Sequence, residues 1–332
     1  MAGTTTAFDI GESAVKIVTV SGGSVKKAAC LELPDNLVSD GMVVYNDAMA
    51  ETLRTAMSKG GISKGKAAVI LPDRLVFARN VVVPPMTEAQ LKYNLPFEFK
   101  DYLNQEKSRY YFDYSVQEIV SEAGEPREMR LFACATLKET IEHYRTLFRL
   151  AGCKLVNAIP EEVAFGSLVA NYMDRHKGEE KQDFCLVDVG HRGLRMYIYR
   201  GSEFRNRRTV SLGLGDLEQV IADERGVDIH MAHTHLTTNY QDAQSMQQCQ
   251  DIYNRMAVEI MKSVNFYNYN NRDQSLHRIC LCGGGAGIAP LQEAISRTTD
   301  LELMNVAELI PGAEKMENPW IYARAVGCAL QK

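Results

Sequence analysis

Phe8-Asp9-Ile10-Gly11-Glu12-Ser13-Ala14-Val15-Lys16-Ile17-Val18-Thr19-Val20 is the stretch that decides the fold. Apolar residues on both sides of its centre predict two strands joined by an Asp-x-Gly turn, which is a β-hairpin. Such a turn points successive backbone N–H groups at a neighbouring anion, and Gly11 lets a ligand approach the main chain. Asp9 could hold a hydrated Mg²⁺, and Lys16 could reach a phosphate. A plain surface hairpin explains the same residues, so the rest of the chain decides between the two interpretations.

Length and composition bound the class of protein. The chain has 332 residues, of which 45% are hydrophobic and 24% charged, which suggests two globular domains or one bilobed domain. A net charge of -5 gives no reason to expect nucleic acid or an anionic membrane as a partner. No apolar run approaches the roughly 18–20 residues of a transmembrane helix. The first residues lack the charged and apolar regions of a signal peptide.

The cysteines predict a reducing environment. None of the eight forms a Cys-x-x-Cys pair, and Cys280 and Cys282 alternate on one predicted strand. We therefore expect buried free thiols rather than disulfides or a metal site. The cysteines are Cys30, Cys134, Cys153, Cys185, Cys249, Cys280, Cys282 and Cys328.

The first half of the chain predicts an α/β unit with an α+β insertion. In the insertion, Thr87 is a predicted helix N-cap with Gln90 three residues on, and a polar, mobile loop is predicted at 121–126. Glycines end the helices, and proline or glycine bounds the strands. The predicted strands are 5–33 (three strands), 67–72, 79–83, 110–120, 128–136 and 153–158, and the predicted helices are 47–59, one opening at Thr87, 138–151 and 161–175.

The second half repeats the opening pattern. A charged linker at 177–182 is the predicted lobe boundary, and the strand that follows ends in Asp188-Val189-Gly190 before a short turn and an outgoing strand. Later, a strand at 278–282 breaks into Gly283-Gly284-Gly285 before a helix, and such a turn suits close approach to a nucleotide. The other predicted elements are a strand at 204–210 and helices at 251–269, 289–296 and 320–330.

The repeat predicts a nucleotide site shared by two lobes. Two facing hairpins could hold phosphates and Mg²⁺ from both sides, while the glycine run borders the nucleotide. The predicted first lobe comprises residues 1–77 and 156–176, the inserted subdomain residues 78–155, and the second lobe residues 177–332.

The order of these motifs resembles the actin-like ATPase superfamily, and the detail is similar to the PilM family of type IV pilus assembly, related to FtsA. The resemblance implies an α/β, actin-like (RNase H-like) two-lobed ATPase fold with an inserted α+β, SHS2-like 1C subdomain. It spans nearly the whole chain. The segments that carry it are 9–16, 84–88, 259–267, 283–291 and 322–330.

The resemblance also implies a function. Proteins of this family are cytoplasmic scaffolds that bind ATP or ADP with Mg²⁺ and reach the inner face of the membrane only through partners. They hold the N-terminal cytoplasmic peptide of a PilN-like membrane protein beside the 1C subdomain, and so link the assembly platform to the motor. No nucleic-acid partner is implied, and a homo-oligomer is left open.

The family's site residues carry over by position. Asp9 and Asp188 would be the metal-side carboxylates. The residues implied to bind phosphate are Gly11, Glu12, Ser13, Lys16, Gly190, His191, Arg192, Gly193, Gly213 and Gly215. The residues implied to border the adenosine are Lys262, Ser263, Gly283, Gly284, Gly285 and Ile288.

The chain departs from the family pattern in the second phosphate loop. The small hydroxyl residues expected there are replaced by His191 and Arg192, and Arg192 could neutralise phosphate or be solvated. Leu214 stands where the family often has glycine. The residues identify no general base, and phosphoryl transfer needs an oriented water or acceptor. We therefore expect a nucleotide-binding scaffold, and at most a slow ATPase.

Two further expectations concern residues outside the nucleotide motifs. His230, His233 and His235 are predicted to lie in a polar surface loop, because spacings of three and two do not bring three imidazoles to one helical face. An aromatic-rich part of the insertion suits either core packing or an interface. Its members are Tyr93, Phe97, Phe99, Tyr102, Tyr110, Tyr111 and Phe112.

Two alternative functions stay open from the sequence. A sugar-kinase-like enzyme would need a carboxylate base, and no further Asp motif stands out between the phosphate loops. An FtsA-like division protein would carry a separate amphipathic C-terminal helix, whereas the last residues here are expected to belong to a packed helix.

Overall fold

The computed structural model describes residues 4–122, 124–176, 182–271 and 276–331. Contacts divide the chain into unit 1, which comprises Met1–Ser167 and Arg324–Lys332, and unit 2, which comprises Leu168–Ala323. The C-terminal helix thus belongs with unit 1, whereas its sequence position placed it in the second lobe. Most of the predicted linker, 177–181, lies outside the described residues.

Most predicted elements are present, with ends that shift by a few residues. The strands are β1 (Thr5–Ile10), β2 (Ala14–Ser21), β3 (Ser24–Glu32), β4 (Val38–Ser39), β5 (Met42–Val43), β6 (Lys66–Leu71), β7 (Phe77–Val83), β8 (Tyr110–Glu122), β9 (Glu125–Leu137), β10 (Lys154–Pro160), β11 (Asp183–Val189), β12 (Leu194–Arg200), β13 (Glu203–Val210), β14 (Arg278–Cys282) and β15 (Glu302–Met304). The helices are α1 (Asn46–Lys59), α2 (Glu88–Glu98), α3 (Lys138–Leu150), α4 (Glu161–Arg175), α5 (Leu214–Arg225), α6 (Ile229–Thr238), α7 (Gln247–Asn270), α8 (Ala289–Thr298) and α9 (Ala323–Leu330).

The two large sheets have the same topology. Unit 1 has the strand order β10-β6-β1-β2-β3, and unit 2 has the order β13-β12-β11-β14-β15. In each sheet, three antiparallel strands joined by short turns are extended by two parallel strands beyond the first. Parallel neighbours need long crossovers, which helices supply in both units. The repeat predicted from the two Asp-x-Gly segments is therefore a repeat of whole sheets.

Helices α1 and α3 form the core of unit 1 against its sheet. Leu53 and Met57 are buried on α1, and Tyr144 and Phe148 are buried on α3. Phe8 of β1 meets Phe148 edge to face, with ring centroids 4.9 Å apart. Full burial of each large apolar side chain contributes roughly 1.5–3 kcal/mol. Phe8, the residue before Asp9, therefore joins the first hairpin to this core.

The insertion has its own three-stranded sheet and core. The strand order is β7-β9-β8, and Leu95 and Phe99 at the end of α2 pack on Leu131 of β9. Helix α3, which sequence position placed in the insertion, packs instead in the α1 core. The sheet and core particular to the insertion therefore end near Leu137.

The predicted loop at 121–126 is wrong. Strands β8 and β9 continue as a pair to the tip, with Ser121 opposite Pro126 and Glu122 opposite Glu125. Gly124, with φ +85°, supplies the tight turn, and Ala123 lies outside the described residues. Polar residues suggested a loop, but a two-stranded ribbon exposes both faces at its tip and accepts polar residues there.

The capping box predicted at Thr87 is confirmed. The Thr87 hydroxyl accepts from the Gln90 backbone N–H at 3.3 Å, and Gln90 Oε1 accepts from the Thr87 N–H at 2.8 Å.

Thr87→Ala is expected to lower the free energy of unfolding by about 1 kcal/mol, because the Gln90 N–H in the first turn of α2 loses the hydroxyl that accepts from it. Urea denaturation of the full chain measures the change. Thr52→Ala is the matched control, because its exposed hydroxyl only bonds back to Ala48 O within α1. A control that loses as much stability as Thr87→Ala would contradict the capping role.

In unit 2, the long helix α7 buries Tyr253, Met256, Ile260 and Val264 against the sheet. The eight cysteines are free thiols, as predicted, and six of them are buried. Within the described ranges, no helix is both long and apolar enough to cross a bilayer.

Candidate functional site

The first candidate half-site is the turn between β1 and β2. Gly11 N donates to Ala14 O at 3.0 Å, and Asp9 lies opposite Lys16 in the hairpin register. The Lys16 side chain folds back over the turn, since its Nζ lies 3.4 Å from where a Cβ on Gly11 would stand. Ser13 is exposed at the tip, while its carbonyl accepts from Leu33 N at 2.9 Å. Lys16 is therefore placed to meet an anion at this turn.

Asp9 is buried below this turn and engaged by Arg324 of α9. Arg324 Nε donates to Asp9 Oδ2 at 3.2 Å, and Arg324 Nη2 lies 3.2 Å from Asp9 Oδ1. Arg324 Nη1 donates to Glu161 Oε1 at 2.6 Å. The Asp9, Arg324 and Glu161 side chains are only 5%, 14% and 2% exposed. One guanidinium thus bridges two buried carboxylates.

The second candidate half-site repeats the first turn in unit 2. Gly190 N donates to Gly193 O at 3.0 Å, as Gly11 N does to Ala14 O, and Asp188 lies opposite Arg195 as Asp9 lies opposite Lys16. Asp188 is buried, with its Oδ2 3.9 Å from Arg195 Nη1. The two turns are therefore equivalent in backbone bonding as well as in sequence.

Backbone hydrogen bonds join the start of α5 to the second turn. Leu214 N donates to Gly190 O at 3.0 Å, and Gly215 N donates to His191 O at 2.9 Å. A Cβ on Gly213 would stand 2.7 Å from Gly190 O and still closer to two other backbone atoms of the turn. Gly213 is therefore required for close approach. A phosphate contact by the N–H groups of residues 214 and 215 would have to replace these bonds.

The buried carboxylate of Glu218 contacts both His191 of the second turn and His233 of α6. Glu218 on α5 is 3% exposed; its Oε1 lies 2.7 Å from His233 Nδ1, and its Oε2 lies 3.5 Å from His191 Nδ1. Burial alone raises the pKa of Glu218, but hydrogen bonds and charge from both histidines outweigh it, so the net pKa is lowered. The sequence offered no signal for Glu218, which reads as an ordinary helix residue.

The predicted histidine loop is wrong. Residues 229–238 form α6, because the Asp228 side chain caps its first N–H groups and Ala232 and Leu236 pack inward at helical spacing. The three imidazoles point to different environments: His230 is exposed, His233 is half-buried, and His235 is buried. The described residues contain no group of three His, Cys, Asp or Glu side chains that could hold a metal ion.

Glu218→Gln is expected to destabilise the protein at neutral pH, with a loss that shrinks as the solution becomes acidic. The folded pKa of Glu218 lies below its unfolded value near 4.5, so the ionised carboxylate contributes stability above that pH and loses it as the pH falls below it. Urea midpoints for wild type and variant from pH 7 to pH 3 measure this convergence. Glu224→Gln, an exposed residue of the same helix, is the control, and parallel pH curves for Glu218→Gln would contradict the prediction.

The glycine run packs tightly in unit 2. Gly283 N donates to Trp320 O at 3.1 Å, and Gly285 N donates to Val189 O at 3.1 Å. A Cβ on Gly284 or Gly285 would stand 3.1 or 2.9 Å from the Leu214 side chain. Leu214, placed where the family often has glycine, thus covers part of the run that was predicted to border adenosine.

The remaining predicted adenosine residues have local partners. Lys262 Nζ donates to Glu259 Oε1 at 2.7 Å, and the Ser263 hydroxyl donates to Glu259 O at 2.7 Å. Ile288 is buried at the start of α8. Lys262 is exposed, whereas Ser263 is buried on α7.

The residues fit a nucleotide better than they fit a metal on the first hairpin. Both turns are closed by a glycine N–H, of the kind found beside bound phosphates, and Lys16 adds a cation at the first turn. Both oxygens of Asp9, in contrast, are held by Arg324, so Mg²⁺ could bind this carboxylate directly only by displacing a guanidinium. Asp188, with its longer arginine contact, is the better candidate for the metal side.

Two sheets of identical strand order, each opening on an Asp-x-Gly hairpin, define an actin-like ATPase fold, as predicted. The solved PilM-PilN type IV pilus biogenesis complex matches 99% of this chain and 98% of its own with a TM-score of 0.82 at 22% identity. The ethanolamine utilization protein EutJ from Carboxydothermus hydrogenoformans matches 100% of this chain and 91% of its own with a TM-score of 0.62 at 15% identity.

The particular family follows from the sequence model of the type IV pilus assembly protein PilM, which matches residues 7–319. The chain belongs to that family, and the predicted resemblance is confirmed. The search of curated proteins found no match.

Proposed function

We propose that this chain is a nucleotide-binding scaffold of type IV pilus assembly that holds the N-terminal cytoplasmic peptide of a PilN-like membrane protein. The family match over residues 7–319 is the observation that carries the proposal. The fold likeness to the PilM-PilN complex is consistent with it. The scaffold would act in the cytoplasm and reach the membrane, the assembly platform and the motor through its partners. The family match favours this role over a division protein or a sugar kinase.

The proposed nucleotide is ATP or ADP, and each turn is proposed as a phosphate-binding element of its own unit. Lys16 supplies the charge at the first turn, and Gly11 and Gly190 close tight turns in which their own N–H groups donate to Ala14 O and Gly193 O. When bound, Mg²⁺ would neutralise phosphate charge, with Asp188 as the carboxylate best suited to it. Glu218 orients His191 within the second turn and is buried in that role, which leaves it poorly placed to act as a base. We therefore infer binding without efficient turnover.

Lys16→Gln is expected to weaken ADP and ATP binding about tenfold, which corresponds to loss of one charge-assisted contact of about 1.4 kcal/mol. Isothermal titration of the full chain measures the change. Lys26→Gln on the neighbouring exposed strand is the control, since it removes the same charge away from the turn. An equal loss in both variants would mean that only net charge matters, and unchanged affinity in Lys16→Gln would remove Lys16 from the site.

The proposed peptide surface belongs to the insertion. Of its aromatic residues, Phe99 and Tyr110 are buried in the core and Phe112 packs against it, so part of the cluster is structural. The others are exposed, three of them beneath a cation: Phe97 under Lys107, Tyr102 under Arg79 and Tyr111 under Lys138. Exposed aromatics of this kind are enriched at interfaces, which supports a peptide role for this face.

Direct binding tests the peptide role. A synthetic peptide with the N-terminal cytoplasmic sequence of the PilN-like partner should bind the full chain, and a scrambled peptide of the same composition should not. The titration is run without nucleotide, with ADP and with ATP. Absence of binding under all three conditions would overturn the scaffold proposal.

A further inference from the structure

Arg324 supplies the positive charge that balances the Asp9 carboxylate of the first hairpin. The guanidinium contacts both carboxylates, with Nε and Nη2 toward the two oxygens of Asp9 and Nη1 toward Glu161. A planar guanidinium can contact both oxygens of one carboxylate through two of its nitrogens, which a lysine ammonium cannot do.

The cluster joins three distant parts of unit 1. Asp9 closes β1, Glu161 begins α4, and Arg324 lies in the first turn of α9. A cation is unfavourable at a helix N-terminus, where the helix dipole is positive. Its presence there is explained by the two buried carboxylates, which need a positive partner because ions removed from water are costly when unpaired.

A divalent cation would satisfy the same two carboxylates. Mg²⁺ prefers carboxylate oxygens at about 2.0–2.1 Å in an octahedral shell that keeps several waters. No room for that shell remains on Asp9 while a guanidinium spans both of its oxygens, and a metal beside Arg324 would meet a like charge. The two cations are therefore alternatives at this position.

We propose that Arg324 is a built-in cation that replaces Mg²⁺ at the first hairpin, so that Asp9 is a structural counter-ion and not a metal carboxylate. The nucleotide part of this inference rests on the proposed function. The metal part does not, because it concerns the binding of the ion alone. Any dependence of nucleotide binding on Mg²⁺ then arises from the phosphates and Asp188, and not from Asp9.

The first experiment uses Mn²⁺ alone, followed by its electron paramagnetic resonance signal, as a probe of the carboxylates. If the wild type binds any Mn²⁺, Asp9→Asn should bind it equally well. Arg324→Met should gain one bound Mn²⁺, and Mg²⁺ should raise its melting temperature by about 3 °C. The double variant Asp9→Asn/Arg324→Met should lose both effects, and the control Arg145→Met, which breaks an exposed pair with Glu142, should show neither.

Two results would overturn the proposal. One is Mn²⁺ binding by the wild type that Asp9→Asn abolishes. The other is a folded Arg324→Met that gains no Mn²⁺ binding. If Arg324→Met does not fold, the comparison of wild type with Asp9→Asn decides alone.

The second experiment measures ADP affinity with Mg²⁺ and with chelator, for wild type and Asp9→Asn. The fold-change caused by Mg²⁺ should agree within about twofold between them, since one charge–metal contact is worth far more than that. A Mg²⁺ effect present in wild type and lost in Asp9→Asn would contradict the proposal. If neither protein binds ADP, the proposed function fails, and the Mn²⁺ experiment still decides the role of Arg324.

Discussion

Arg324→Met is expected to lower the free energy of unfolding by about 3–5 kcal/mol, because it leaves Asp9 and Glu161 buried without their cation. Met keeps most of the side-chain volume, so the loss reports charge rather than a cavity. Urea denaturation of the full chain at pH 7 measures this loss.

Two companion variants sharpen the test of Arg324. Arg145→Met removes an arginine of the same type from an exposed pair, and its cost should be no more than about 1 kcal/mol. Adding Glu161→Gln and Asp9→Asn to Arg324→Met should recover much of the lost stability, since the two carboxylate charges that Arg324 neutralised are then removed as well. A small loss in Arg324→Met at pH 7, or a triple variant no more stable than the single one, would contradict the ion-pair argument.

Gly283→Ala is expected to destabilise unit 2 by about 2–4 kcal/mol, because a methyl group must be fitted where backbone already stands and at an unfavourable φ. The new Cβ would stand 2.7 Å from Val189 O and closer still to Asp188 Oδ1, and the φ of Gly283 is +86°. Since Asp188 would have to move, the proposed metal-side carboxylate should be displaced together with the lost stability.

Gly226→Ala is the matched control for Gly283→Ala. Gly226 ends α5 with φ +60°, and a Cβ there would meet nothing within 4 Å. Only the conformational penalty of about 1 kcal/mol should be seen. Urea denaturation compares the two variants, and nucleotide titration shows whether Gly283→Ala alone loses affinity. Equal stability losses would mean that the close approach to Asp188 is unimportant.

The sequence predicted what depends on local pattern. Both Asp-x-Gly hairpins, the Thr87 capping box and the helix predicted at 47–59 are read from neighbouring residues, and the structure confirms them. Their repetition also led to the correct fold and family.

The features that the sequence did not predict depend on residues that are far apart in the chain, or on apolar patterns that polar residues interrupt. Arg324 and Asp9 are 315 positions apart, and no spacing rule joins them. A lone charge inside the apolar segment 320–330 was the available signal. Helix α6 was missed because histidines and threonines hid the inward Ala232 and Leu236. Leu214 was noted as a departure, but only the packing shows that it covers Gly284 and Gly285.

The discontinuity of unit 1 has a consequence for synthesis on the ribosome. Domains generally fold as units while the chain emerges. Unit 1 is built from Met1–Ser167 and from Arg324–Lys332, so its last segment emerges after all of unit 2. Asp9 and Glu161 therefore lack the Arg324 guanidinium until the segment that follows unit 2 has been synthesised. Unit 2 is free to fold first, and unit 1 completes this buried charge cluster only after Arg324 has emerged.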